Sequence, residues 1–110
     1  MALEYANVIV AMGYIYEGDS AFRGPSPGFN PDLSGGLGGG EYELVMDGEF
    51  SSPDQLVVIA TPRDTTSQNT NIAVRTLITS PTSIIVRTSI NGVGVDTVSF
   101  DIVVMLRSGG

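Results

Sequence analysis

At 110 residues the chain is sized for a single domain, residues 1–110. Its formal charge of -7, with arginine as the sole cation type, excludes a nucleic-acid surface and an anionic-membrane surface. The lack of histidine, cysteine and lysine excludes histidine-dependent triads, thiolate nucleophiles, nitrogen- or sulfur-ligated zinc and Schiff-base chemistry, and no cofactor is expected.

Residues Tyr5 to Tyr16 form the first apolar segment. Ala6, Val8, Val10 and Met12 alternate with Asn7, Ile9 and Ala11, so both faces are apolar, as in a strand buried on both sides or lying at a subunit interface. Gly13 marks a bulge or a close approach. From Glu17 to Gly40 the alternation is lost. Prolines, a glycine run and isolated Phe22, Phe29, Leu33 and Leu37 predict a long Gly/Pro-rich loop or assembly arm, anchored by the two phenylalanines. Alternation returns over Glu41–Asp47, where Tyr42, Leu44 and Met46 oppose Glu41, Glu43 and Val45. A turn at Asp47–Glu49 and the stretch Phe50–Pro53 follow. Gln55–Thr61 is nearly all apolar and reads as a central strand stopped by Pro62.

After a polar loop, Ile72–Ile78 and Ser83–Ile90 read as a hairpin. Centring the turn on Pro81 pairs Ile78 with Ile84 and Ile72 with Ile90, and sets Arg75 opposite Arg87. Like charges directly opposite cost stability, so a carboxylate or a subunit boundary is expected beside them. Val95–Leu106 is the last strand, with Val98, Phe100, Ile102, Val104 and Leu106 on one face. A two-residue Asn91–Gly92 loop would put the apolar rows of the two closing strands on opposite faces. A loop of three or five residues, pairing Val86 with Val98 and Ile84 with Phe100, is therefore expected. The tail Arg107–Gly110 is expected to fray. These elements predict an all-β fold: a small antiparallel β-sandwich of about six strands with the long loop at 17–40.

Candidate chemistry is sparse. The glycine run 35–40 is followed by Glu41 and a strand, not by the Lys-Ser/Thr and helix of a phosphate loop, so it reads as a connector. Glu41, Glu43, Asp47 and Glu49 are close enough in sequence for acid–base or calcium chemistry, but solvated carboxylates on a strand face look the same. Asp64, Gln68, Asn69 and Asn71 offer donors and acceptors on one polar loop and are the candidate ligand contacts. Ile9, Val57, Ile59, Val103 and Met105 would form a second apolar face, and with Arg75 and Arg87 they are the candidate oligomer interface. The arginines would meet Asp96 or Asp101 of a neighbour. No apolar run reaches the roughly 20 residues of a membrane helix. The opening at Met1, without a basic and apolar leader, is read as that of a complete small protein lacking a signal peptide.

The motif order from Gly40-Glu-Tyr-Glu-Leu-Val-Met-Asp-Gly-Glu-Phe50, through Ser52-Pro53 and Leu56-Val-Val-Ile-Ala-Thr-Pro62, to Phe100-Asp-Ile-Val-Val104 resembles the β-sandwich domains at the ends of bacteriophage tail fibres and related virion proteins. These are similar to the H-type lectin fold. The resemblance implies a homotrimer located in the virion, assembled in the host cytoplasm. Its expected partners are other virion proteins and a host-surface glycan. A capsid decoration protein and a free carbohydrate-binding lectin are the alternatives. All three are non-enzymatic.

Overall fold

The computed structural model describes residues 8–33, 36–48, 56–63, 71–80 and 82–106. Among them every regular element is a strand: β1 (Val8–Ile15), β2 (Gly36–Gly38), β3 (Glu41–Val45), β4 (Leu56–Arg63), β5 (Ile72–Ser80), β6 (Ser83–Ile90), β7 (Val93–Gly94) and β8 (Ser99–Leu106). They form two antiparallel sheets, one of order β1-β8-β4 and one of order β2-β3-β6-β5, with β7 paired to β6. The all-β, two-sheet architecture is the one the alternation predicts. Phe50–Pro53, the loop 64–70 and the tail Arg107–Gly110 lie outside the described residues.

The inner rows of both sheets meet in one core. Ala11, Ile15, Leu56, Phe100, Ile102 and Val104 come from the first sheet, and Tyr42, Leu44, Ile84 and Val86 from the second. Tyr42 and Phe100 touch edge-on across the layers, with ring centroids 5.2 Å apart. Each fully buried side chain of this size contributes about 1.5–3 kcal/mol relative to exposure, so the alternating rows stabilise the two-layer arrangement.

The β5–β6 register follows the sequence pattern. Ile72 faces Ile90, Arg75 faces Arg87 and Ile78 faces Ile84. The carboxylate expected beside the arginines is Glu41, which β3 places opposite Arg87 on its other side. Its Oε2 accepts from Arg87 Nε at 2.7 Å.

The closing hairpin is different. β6 does not pair with β8. Residues Asn91 and Gly92 make the two-residue turn, with φ of 53° and 81°, and Ile90 pairs with Val93. Positive φ at both central residues matches a type I′ turn, which Asn-Gly favours. The strand after it lasts two residues. The chain then crosses to the other sheet, where β8 lies between β1 and β4. The apolar rows of β6 and β8 do face each other, but across the core and not along a ladder. Thr88 fixes the crossing. Its N–H donates to Gly40 O at 2.8 Å, its hydroxyl donates to Val95 O at 2.7 Å, and its own carbonyl accepts from Val95 N at 3.2 Å.

β4 also departs from expectation. It is an edge strand of its sheet and runs through Pro62, which pairs with Phe100, to Arg63. An edge tolerates proline because the missing N–H is not needed by a further strand.

The 17–40 segment is not one unstructured loop. Gly36–Gly38 pair with β3. Residues 16–33 fold back on the sandwich by backbone hydrogen bonds. Pro27 O accepts from Met12 N at 3.0 Å, Tyr14 O accepts from Arg23 N at 2.9 Å, and Val45 O accepts from Asn30 N at 2.8 Å. The excursion thereby covers the free edge of β1, a position where an unpaired ladder invites association. Phe22 and Phe29 anchor it as expected: both are buried, stacked with centroids 4.8 Å apart. Gly13 is the close approach, since a Cβ there would lie 2.4 Å from two carbons of the Phe22 ring.

Candidate functional site

The outer face of the β1-β8-β4 sheet gathers apolar side chains with no cover among the described residues. Register sets Ile9 and Val57 on either side of Met105, and Met12 and Ile59 on either side of Val103. Directly paired residues share a face. Ile9 is 56 % exposed, Ile59 50 % and Met12 43 %, while Val57, Val103 and Met105 are half-buried by their neighbours. The sequence reading therefore named five residues that the fold does bring together. It missed Met12. Strict alternation opposes Met12 to Ile9, but the register shifts between Ile9 and Ala11. The bulge turns Ala11 into the core, at 2 % exposure, and Met12 outward. No residue type in the segment signals that shift.

At one end the face becomes polar. Arg63 binds Asp101 through two hydrogen bonds, Nε to Oδ2 at 2.6 Å and Nη2 to Oδ1 at 2.8 Å. Its guanidinium lies 3.9 Å from the centroid of the Tyr14 ring. The Asp101 bond holds the guanidinium's pKa above its ordinary value. A cleft of about 460 Å³ opens here, lined by Met12, Tyr14, Pro25, Pro27, Arg63 and Val103 among others. The face is thus apolar, locally neutral and indented at one end.

Arg75 and Arg87 lie elsewhere, on the outer side of the other sheet. They cannot share one surface with Ile9 or Met105. The carboxylates proposed to meet them from a neighbour are engaged within the chain: Asp101 by Arg63, and Asp96 by the Gly40 N–H at 2.7 Å. A separate polar hollow of about 320 Å³ surrounds the two arginines, with Glu41, Ser89, Gly39 and Gly94 in its lining. The hollow could not be anticipated from sequence, because its glycines come from two turns far apart in the chain.

Of the candidate ligand loop, Asp64, Gln68 and Asn69 lie outside the described residues. Asn71 is exposed and tied to the Asn91 turn, its carbonyl accepting from Asn91 N at 2.9 Å and its N–H donating to Asn91 Oδ1 at 3.4 Å. Glu41 and Glu43 share the outer strand face as expected, but Glu41 is paired with Arg87. Asp47 is exposed at the strand end. Among the described residues no group of three acidic side chains is placed to hold a metal ion.

Comparison of the chain with protein-family models, with curated proteins and with solved structures finds no match.

Proposed function

We propose that this protein is a non-enzymatic structural subunit that assembles as a homotrimer through the outer face of the β1-β8-β4 sheet, as a fibre or adsorption module of a tailed-phage virion. The observation that carries the assembly reading is the contiguous apolar face of Ile9, Met12, Val57, Ile59, Val103 and Met105. A chain of charge -7 repels its own copies. This face carries its arginine and aspartate as a closed pair, so copies meet there without like-charge contact. Side chains already half-covered gain on the order of 1 kcal/mol each when fully covered. Two such contacts per copy around a three-fold axis offset the cost of association. The placement in a virion rests on the resemblance of the strand motifs to tail-fibre sandwiches. A subunit of this kind binds and positions; the absence of histidine, cysteine and lysine from the sequence accords with that role.

Light scattering on the full chain tests the assembly. A mass near three times 11.5 kDa is expected, with Ile59→Glu shifting it toward one copy. Ile59 is half-exposed, so the variant leaves the core intact. A single-copy mass at all concentrations, or a trimer that survives Ile59→Glu, overturns the reading. Co-sedimentation with host cells supports the adsorption role, whereas co-sedimentation with empty capsids would instead assign the chain to head decoration.

A further inference from the structure

We infer that the hollow around Arg75 and Arg87 is a binding site for the carboxylate of an acidic monosaccharide unit, such as a uronic acid. Three described arginines each have their own carboxylate: Arg23 with Asp19, Arg63 with Asp101 and Arg87 with Glu41. Arg75 makes no ion pair among the described residues, yet β5 sets it directly opposite Arg87. Two cations facing each other across a ladder are destabilising unless an anion lies between them. Glu41 neutralises one from the β3 side, which leaves one net positive charge at the hollow.

A planar guanidinium recognises a carboxylate through paired N–H donors. The rest of the lining suits a small hydroxylated ring. Ser89 supplies a hydroxyl, while Gly39, Gly92 and Gly94 present backbone without side chains. A Cβ built on Gly39 or Gly92 would meet nothing within 4 Å, so the hollow is open on that side. A volume of about 320 Å³ is at the low end of small-ligand sites and matches one sugar ring. The overall charge of -7 narrows the class further. A polyanion is repelled by the surrounding field, whereas a single carboxylate is drawn to this local excess of positive charge. The site lies on the sheet opposite to the proposed assembly face, so it stays accessible in an oligomer and does not depend on that reading.

The test is titration of the full chain with sodium D-glucuronate, followed by backbone amide NMR. Saturable shifts are expected at Gly39, Ser89 and Gly94. D-glucose and acetate are each expected to bind at least about tenfold more weakly, because each supplies only half of the recognition. Arg75→Gln is expected to abolish the shifts with the mass by light scattering unchanged, and Arg75→Lys to weaken them by about tenfold. Absence of saturable shifts overturns the inference, as do equal binding of glucose, equal binding of acetate, or shifts that persist in Arg75→Gln. In Ile59→Glu the glucuronate shifts are expected to remain; their loss there would also count against the site.

Discussion

Gly13→Ala is the sharpest perturbation available to this fold. The backbone at Gly13 is not in the positive-φ region, so alanine is conformationally allowed. Replacing a strand glycine by alanine would then gain about 0.5–1 kcal/mol from reduced chain entropy. The side chain has no room, however. Its Cβ would sit 2.4 Å from both Cδ1 and Cε1 of Phe22, where carbon atoms ordinarily keep about 3.5–4.0 Å. The ring must retreat by more than about 1 Å, away from its stack on Phe29. Overpacking of this kind costs about 1–3 kcal/mol, leaving a net loss of up to about 2.5 kcal/mol. Phe22→Ala alone should cost about 3 kcal/mol, since the ring is buried. In that background the clash is gone, and Gly13→Ala should become neutral or stabilising by up to about 1 kcal/mol. Urea unfolding of the four proteins at one protein concentration reads the cycle. A change of sign between the two backgrounds is expected. Equal destabilisation in both would refute the argument that the Phe22 ring, and not the strand backbone, demands glycine here.

Other outcomes follow from the same structure. Thr88→Val keeps the shape of a buried residue but leaves Val95 O without its hydroxyl donor, and should cost about 1–2 kcal/mol in denaturant unfolding. Gly92→Val, at φ of 81°, should cost on the order of 1–2 kcal/mol and leave the β5–β6 register intact by NMR. If it instead disrupted β8 pairing, the short β7 stub would be more than a local turn. Tyr42 is pushed above its ordinary pKa near 10, first by burial, against a lowering hydrogen bond from the Gly18 N–H and with Asp96 adding to the rise. The unfolded chain therefore loses that proton first, and stability should be constant up to about pH 10 and fall above it. Tyr42→Phe should flatten that alkaline decline, and an unchanged decline would rule out Tyr42 as its cause.

The local pattern of this sequence determines a good deal. Period-two alternation fixes which residues of β3, β6 and β8 face inward, because each apolar row must leave water whichever neighbour it finds. The β5–β6 register is equally legible. Two apolar rows and one proline-centred turn admit a single pairing that buries both, and it brings Arg75 against Arg87 as a consequence. The apolar outer face could be named for the same reason, since Val57, Ile59, Val103 and Met105 fall on the second parity of strands whose first parity is the core.

What alternation does not carry is sheet membership. In a two-layer fold the strands of both sheets point their apolar rows at the same core, so β6 and β8 look like ladder partners when they are partners across it. A two-residue Asn91–Gly92 turn conflicts with the apolar rows only if β6 and β8 share a ladder, and they lie in different sheets. Edge position is invisible for a similar reason: Pro62 ends a central strand but not an outer one, and only the finished sheet says which β4 is. The bulge that turns Met12 outward, and the turns that assemble a polar hollow around two arginines, depend on contacts between segments far apart in sequence. Those were decided by tertiary packing, where burial, not local preference, selects among pairings the chain alone leaves open.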